Sequence, residues 1–373
     1  MTLSADPVAL AQRLVRIPSV NPPGDEAPCA DAVAQVLAEF GCVVERYEFA
    51  PGRPSLVARL RGTTDQKPLC FTGHVDVVPA GTAPWRYGPF DGVIADGMLH
   101  GRGSCDMKSG IAAFLTAAAD LAGRAPLRRG LTFVITSGEE TGCQGAFDLA
   151  RRGVLGPAAL LVVAEPTSNQ PVLAHKGSLR VAVTARGRTA HSAMPEEGEN
   201  AISKAVDWIG RVQKLRFEAS HPLLGRATAA VTTVTGGHAA NAVPDLARFT
   251  VDFRTLPEDD HPSRLRELRA LLGDEAEIEI LTDFGGFATP PDSPAIRPLL
   301  DLLTGRLGRP PALLGAAYFT DASALVPGFG DVPTVVIGPG ASAQCHKTDE
   351  QCAVAEIQAA KEIYGELIRR VCL

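Results

Sequence analysis

The sequence predicts an α/β protein with a mixed, mostly parallel sheet flanked by helices, and a second α+β domain inserted into it. Helix-like and strand-like segments alternate through the first 176 residues, which favours a parallel sheet. Strands such as "LLVVA" (160–164) are apolar without interruption, as expected of a sheet covered on both faces. From about residue 177 the order becomes β-α-β-β-α-β, which is typical of a ferredoxin-like sandwich.

The first part of the chain opens with a helix at 8–17, for which Asp6 is the predicted N-cap and Pro7 lies in the first turn. The elements that follow are a helix at 25–40, strands at 42–49, 55–60 and 68–78, a helix at 107–121, a strand at 130–137, a helix at 144–152 and a strand at 158–165.

The inserted part has its own set of elements. They are a strand at 177–187, a helix at 200–215, strands at 227–237 and 246–256, a helix at 261–273 and a strand at 275–284. The chain then returns to helix, strand and helix at 293–308, 333–340 and 353–371. We therefore expect one domain built from 1–176 and 287–373, and a second formed by 177–286.

Composition excludes several classes of protein. The 373 residues are 45% hydrophobic and 21% charged, which is ordinary for a globular protein, and the net charge of −6 argues against nucleic acid or an anionic membrane as the main partner. The N-terminus does not resemble a signal peptide, and no apolar stretch reaches the ~18 residues of a spanning helix. Eight cysteines without a CxxC pair indicate neither a zinc ribbon nor a disulfide framework. We expect a cytoplasmic protein.

Candidate metal ligands follow successive strands of the first domain. They are His74 and Asp76 in "GHVDVVP", Asp106 in the glycine-rich turn "GRGSCDMKSG", Glu139 and Glu140 in "SGEETG", Glu165 after "LLVVA", and His346 in "QCHKTDE". Each alone is explained as well by a solvated loop, but their recurrence at strand ends predicts a shared site. Imidazole and carboxylate without thiolate suit zinc and neighbouring divalent metals. Five of these ligands suffice for two ions if one carboxylate bridges.

The motifs resemble the acetylornithine deacetylase / succinyl-diaminopimelate desuccinylase family of dinuclear zinc amidohydrolases and peptidases. The matching segments are "GHVDVVPAG", "DGMLHGRGSCDMKSGIAA", "TSGEETGCQGA", "AEPTS", "HKGSLRVAVTARGRTAHSAMP" and "GPG…HKTDE", in family order along nearly the whole chain. The resemblance implies a zinc aminopeptidase-like catalytic domain and an inserted lid that also forms a homodimer. It further implies two divalent ions, with zinc as first choice and cobalt or manganese as alternatives.

The resemblance also implies roles for individual residues. Asp106 would bridge two ions, of which one is held by His74 and Glu165 and the other by Glu140 and His346. Asp76 would accept a hydrogen bond from the His74 ring. In the same way, Glu139 would be the general base and His191 would stabilise the oxyanion, in dimeric relatives from the partner subunit. Asn241, Arg254 and Thr320 would bind the substrate, although a plain salt bridge from Arg254 to Asp252 or Glu258 is an equal alternative for that arginine.

The implied reaction is hydrolysis of the amide of an N-acyl amino acid, with N-acetylornithine as the best guess. A dipeptidase or carboxypeptidase, and a succinyl-diaminopimelate desuccinylase, remain alternatives within the family. A non-catalytic binding protein is disfavoured because Glu139 and all five ligands are intact. The nearby Cys105, Cys143 and Cys345 are expected to pack rather than to bind metal.

Overall fold

A computed structural model describes residues 6–122 and 126–373, so the first five residues of the predicted catalytic domain lie outside the description. The chain packs as two units. The first contains the residues up to Leu173, Ala288–Leu314 and Thr320–Leu373, and the second contains Ala174–Phe287 and Gly315–Phe319. The short segment Gly315–Phe319 thus groups with the second unit, outside the range predicted for the insertion.

The first unit takes its elements from both ends of the chain. Before the second unit they are α1 (Pro7–Val15), α2 (Ala27–Glu39), β1 (Val43–Ala50), β2 (Arg53–Leu60), β3 (Leu69–His74), β4 (Val93–Ala95), β5 (Met98–His100), α3 (Lys108–Ala122), β6 (Leu131–Thr136), α4 (Gln144–Arg152), β7 (Leu160–Val163) and β8 (Val172–His175). As predicted from the sequence, the Asp6 side chain caps α1 by accepting the N–H of Val8 at 2.9 Å.

The second unit and the returning segment complete the set. Their elements are β9 (Gly177–Arg186), α5 (Ala201–Val212), β10 (Ser220–His221), β11 (Gly225–Arg226), β12 (Thr228–Gly236), β13 (Leu246–Thr255), α6 (His261–Leu272), β14 (Glu277–Phe284), β15 (Phe287–Ala288), α7 (Arg297–Leu307), β16 (Leu314–Ala316), α8 (Ala322–Gly328), β17 (Thr334–Val336), β18 (Gln351–Ala353) and α9 (Val354–Cys372).

The central sheet has the strand order β1-β2-β6-β3-β7-β17-β8-β15, and β16 also pairs with β8. Strands β6, β3, β7 and β17 run parallel, whereas β1 pairs antiparallel with β2, β2 with β6, and β8 with β17. This arrangement confirms the predicted mixed, mostly parallel sheet. The chain crosses between the two units within β8, β15 and β16, and again between Phe319 and Thr320.

Helices cover the parallel strands, whose side chains are buried throughout β3, β6 and β7. Helices α1, α3 and α9 pack on one another, with α3 and α9 against β3, while α2 and α4 pack against β1 and β2. Burial on all sides explains why these strands carry continuous apolar runs rather than an alternating pattern.

The second unit is a four-stranded antiparallel sheet of order β12-β13-β9-β14 with α5 and α6 packed on it. The chain order β-α-β-β-α-β agrees with the ferredoxin-like prediction. No helix among residues 6–122 and 126–373 is long and apolar enough to cross a membrane.

Some short elements were not predicted from the sequence. Strand β18 has only three residues, and α8 has only seven residues with Pro327 inside it. Such elements are too short to show a helical or strand period, so tertiary contacts rather than local pattern determine them.

Helix α3 passes unusually close to the end of β7. A Cβ atom placed on Gly110 would lie 2.2 Å from the main-chain oxygen of Ala164, which directly precedes Glu165. Since a main-chain carbonyl cannot rotate away as a flexible side chain can, only glycine permits this approach. Gly110 therefore sets the spacing between α3 and the strand end that carries Glu165.

We expect Gly110→Ala to lower the free energy of unfolding by about 1–3 kcal/mol, because the added methyl group must displace main chain. Gly210→Ala is the matched control within α5, since its Cβ would meet nothing within 4 Å and alanine is the better helix former by up to about 1 kcal/mol. Chemical denaturation of both variants measures the difference. An unchanged unfolding midpoint for Gly110→Ala would contradict the close-approach argument.

Candidate metal centre

The predicted ligands meet at one edge of the central sheet. Because β3, β6, β7 and β17 run in parallel as neighbours, their carboxyl ends lie together. His74 ends β3, Glu139 and Glu140 follow β6, Glu165 follows β7, and His346 lies on the loop after β17. Asp106 reaches the same place on the turn that precedes α3.

Asp106 lies between two groups of ligands. Its Oδ1 is 3.0 Å from Nε2 of His74, which is also 3.5 Å from Oε1 of Glu165. Its Oδ2 is 3.4 Å from Nε2 of His346, which is 2.9 Å from Oε2 of Glu140. The five predicted ligands therefore form two sets that share one carboxylate, and their binding of two ions remains a prediction.

The chemistry of this donor set fits divalent cations. Ligand atoms of His74, Asp106 and Glu140 all lie within 4.8 Å of one another. Asp106 and Glu165 are buried, as is Glu139, so negative charge is concentrated away from water. Buried carboxylates at this separation repel one another unless positive charge lies between them.

The shifted pKa values express the same need for positive charge. Burial, together with neighbouring carboxylates, raises the pKa of Glu139, Glu140 and Glu165. Hydrogen bonds to Asp106 and Glu140 raise the pKa of His346 to about 10. Burial alone would lower the pKa of His74, but the hydrogen bond to Asp106 and the nearby carboxylates raise it well above its ordinary value. In the metal-free protein, protons bound by the histidines and glutamates reduce the repulsion between the carboxylates.

Asp76 does not hold the His74 ring in the way expected from the sequence. The ring Nδ1 lies 2.9 Å from the main-chain oxygen of Asp76, whereas the nearest carboxylate oxygen is 3.6 Å away. Because a carbonyl can only accept, Nδ1 carries the proton and Nε2 is left as the ligand atom. The carboxylate instead accepts the main-chain N–H groups of Glu139 (3.2 Å) and Glu140 (3.1 Å). Asp76 thus orients the loop that carries both glutamates.

Asn21 supports Asp76 and was not identified from the sequence. Its buried side-chain amide donates to Oδ2 of Asp76 at 2.9 Å and to the hydroxyl of Thr141 at 2.8 Å. One amide therefore links the Asp76 carboxylate to the residue that follows Glu140. The segment "SVNPPG" carries no sequence signal for this contact, which spans 55 residues to Asp76.

Thr320 and Asp321 lie in the first unit, at the start of α8. Thr320 is buried and its hydroxyl accepts the N–H of Ala322 at 3.1 Å, so its predicted role in lining the substrate pocket remains a prediction. Asp321 is a second residue that sequence reasoning missed. Its Oδ2 accepts the hydroxyl of Thr136 at 2.5 Å, and burial raises its pKa to about 6.

His191 and Asn241 lie in the second unit, on adjacent exposed segments. The N–H of Ser192 donates to the main-chain oxygen of Asn241 at 3.0 Å, and Nδ1 of His191 accepts the N–H of Ala193 at 3.0 Å. Their roles toward the oxyanion and the substrate remain predictions, as do the homodimer and the action of His191 from a partner subunit.

Arg254 forms a salt bridge with Asp252, which was one alternative expected from the sequence for this arginine. Its Nε is 3.0 Å from Oδ1 of Asp252, and its guanidinium group lies over the Phe319 ring, 5.9 Å from the centroid. About a third of the side chain (31%) is exposed, so the group keeps donors that can face a ligand.

The thiols beside the ligands behave as packing groups. Cys105 and Cys143 are buried, and burial raises the pKa of Cys143 well above its ordinary value. The only grouping of metal-ligating side chains found among the described residues contains no cysteine.

The chain is similar to several known proteins. Residues 70–370 match the model of peptidase family M20/M25/M40. A succinyl-diaminopimelate desuccinylase of Cereibacter sphaeroides is 33% identical, over 98% of this chain and 98% of its own. The fold is similar to an M20 metallo-carboxypeptidase of Sulfolobus solfataricus (TM-score 0.81, 18% identity, 97% and 98% coverage). It is also similar to a dinuclear metal binding M20 peptidase of Bacillus subtilis (TM-score 0.74, 16% identity, 98% and 97% coverage).

We expect zinc binding to the metal-free protein to release protons and to tighten as the pH rises from about 6.5 towards about 10. A side chain binds a metal ion only after it has lost its proton, and in the metal-free protein the pKa of His346 is about 10. As the pH rises, fewer protons compete with the ion. Calorimetry in buffers of different ionisation enthalpy counts the protons.

His346→Gln should release fewer protons than the parent, whereas His238→Gln, which changes an exposed histidine of the second unit, should release the same number. Zinc affinity that does not change with pH would contradict this interpretation of the cluster.

Proposed function

Because the chain belongs to peptidase family M20/M25/M40, we propose that it hydrolyses the amide bond of an N-acyl amino acid at this centre. The observation that carries the proposal is the position of Asp106, with one oxygen toward His74 and the other toward His346. A shared carboxylate between two sets of ligands is the arrangement that a pair of divalent ions requires.

The ligands divide between the two ions as follows. His74 and Glu165 hold one ion, Glu140 and His346 hold the other, and Asp106 contributes to both. Zinc is the first choice, with cobalt or manganese as alternatives, because the donors are imidazole and carboxylate. When bound, such ions polarise the substrate carbonyl and make water more acidic.

Glu139 is the residue that moves the proton. It lies next to the ligand Glu140, and Asp76 fixes the main chain of both. In our proposal Glu139 takes a proton from the attacking water and later delivers it to the leaving nitrogen, so that a carboxylic acid and an amine are released. Its burial favours proton transfer, since a carboxylate in contact with bulk water is a weaker base. His191 donates a hydrogen bond to the oxyanion.

Within this class of reaction, charge in the second unit favours a polyanionic substrate. Lys176 is buried, and its pKa is lowered by that burial and by the charge of Arg254. Arg180 and Arg254 both contact Asp252, at 2.7 Å and 3.0 Å. Two guanidinium groups share the single Asp252 carboxylate, so positive charge is left for an anionic ligand to neutralise.

N-succinyl-diaminopimelate is therefore our first candidate substrate. It carries three carboxylates and one ammonium group, whereas N-acetylornithine carries one of each. The relatives of about 33% identity that are named succinyl-diaminopimelate desuccinylases support the same choice. The motif "TAHSAMP" resembles that of the acetylornithine deacetylase and carboxypeptidase branches of the family, which keeps N-acetylornithine as the second candidate and a dipeptide as the third.

The division of roles between the two neighbouring glutamates can be tested directly. We expect Glu139→Gln to lower kcat by about 10²–10⁴-fold, because a general base is lost, while the protein still binds two ions. Glu140→Gln should bind fewer ions, because a ligand is lost. Elemental analysis and steady-state kinetics on the same samples separate the two effects. Equal metal loss in both variants would refute the assignment.

Arg254 is the residue through which the substrate proposal is tested. We expect Arg254→Gln to lower kcat/KM for N-succinyl-diaminopimelate by about 10–100-fold, since a hydrogen bond to a charged group contributes about 1.5–3 kcal/mol. Arg248→Gln is the control, because Arg248 lies on the same face of β13 and pairs with Glu279. Substrate preference is measured with N-succinyl-diaminopimelate, N-acetylornithine and a dipeptide. A higher kcat/KM for either of the last two would overturn the first candidate.

A further inference from the structure

Glu350 is a fully buried carboxylate on the loop that also carries His346. It accepts four hydrogen bonds from one short segment. Oε1 accepts the main-chain N–H groups of Cys105 (2.8 Å) and Asp106 (3.0 Å), while Oε2 accepts the N–H of Gly103 (3.1 Å) and Nη1 of Arg102 (2.6 Å). Two carboxylate oxygens have about four acceptor positions, so the four hydrogen bonds occupy all the acceptor positions of this side chain.

These bonds join two loops that are remote in sequence. Glu350 and Asp106 are separated by 244 positions, yet one carboxylate fixes the main chain of Asp106. The main-chain oxygen of Glu350 also accepts the N–H of Gly101 at 2.9 Å. Since His346 precedes Glu350 by four residues, the same loop presents one ligand and holds another.

Arg102 provides the charge that makes this burial tolerable. Its guanidinium pairs with Glu350 inside the protein, where the two side chains are 3% and 0% exposed. It also lies over the Trp85 ring, 5.3 Å from the centroid. A buried, paired and fully hydrogen-bonded carboxylate has one favoured position, so it can act as a rigid support.

Glu350 corresponds in its contacts to Asp76. Asp76 accepts the main-chain N–H groups of Glu139 and Glu140, and Glu350 accepts those of Cys105 and Asp106. Each therefore orients a ligand loop through its main chain, without reaching the ligand atoms themselves.

We propose that Glu350 is a positioning residue that holds Asp106 in its bridging orientation relative to His346. Loss of Glu350 then weakens binding of the ion assigned to Glu140 and His346, called the second ion below. This inference rests on the proposed dinuclear function. Asp106 is the ligand common to both sets, and the separation of its Oδ2 from the His346 ring depends on the two loops that Glu350 joins. Groups that support metal ligands in this way typically change metal affinity by about 10–100-fold.

The test compares Glu350→Gln with the parent enzyme. Glutamine keeps the size of the side chain but replaces one accepting oxygen with an NH₂ group, which cannot accept from main-chain N–H. We expect Glu350→Gln to bind the second cobalt or zinc ion about 10–100-fold more weakly by calorimetry. The visible absorption of the cobalt-loaded protein should change, and kcat should fall more than KM rises.

Glu356→Gln is the matched control. Glu356 also accepts a main-chain N–H near the His346 loop, that of Gly340 at 2.7 Å, and no hydrogen bond found among residues 6–122 and 126–373 joins its side chain to the Asp106 turn. We expect it to bind both ions with the affinity of the parent. Glu350→Asp, which keeps the charge, should recover part of the affinity lost in Glu350→Gln.

If Glu350→Gln does not fold, Arg102→Gln provides the decision, because it removes the ion pair and leaves the three main-chain bonds to Glu350. An intermediate loss of second-ion affinity supports the proposal. Parental affinity and an unchanged cobalt spectrum in whichever of the two variants folds would overturn it. A parent enzyme that does not bind two ions or does not hydrolyse amides would instead refute the proposed function.

Discussion

The structure depends on a buried cluster of carboxylates at one edge of the parallel sheet. Asp106, Glu139, Glu140 and Glu165 repel one another, and burial makes that repulsion stronger than it would be in water. The surrounding structure supplies groups that offset this repulsion. Two imidazole rings lie between the carboxylates, and main-chain N–H groups are held by further buried acids. Cations complete the balance, so the same repulsion that opposes folding of the free protein provides the attraction for the ions.

The strand ends were predictable, and the supports behind them were not. A histidine or acid after each of several apolar strands predicts a common edge, because parallel strands end together, and the structure brings His74, Glu140 and Glu165 to that edge. Contacts such as those of Asn21 with Asp76, or Glu350 with Asp106, join segments that share no local pattern. Whether His74 bonds to the carboxylate or to the carbonyl of Asp76 likewise depends on tertiary geometry. Short elements such as α8 escape prediction for the same reason, since packing determines them.

The two units differ in the sign of the charge that they concentrate. The first concentrates negative charge around the predicted ion sites, and in the second Arg180 and Arg254 share the Asp252 carboxylate. The residues proposed for chemistry and those proposed for recognition thus lie in different parts of the sequence.

The distance in sequence between Glu350 and Asp106 has a consequence for how the enzyme is made. During synthesis, a chain that has emerged only as far as β8 already contains His74, Asp106, Glu140 and Glu165, but neither His346 nor the carboxylate that fixes the Asp106 turn. Such a nascent chain offers a partial and loosely held set of donors. In the proposed dinuclear site, the set of ligands becomes complete only when the segment with His346 and Glu350 has followed the second unit out of the ribosome.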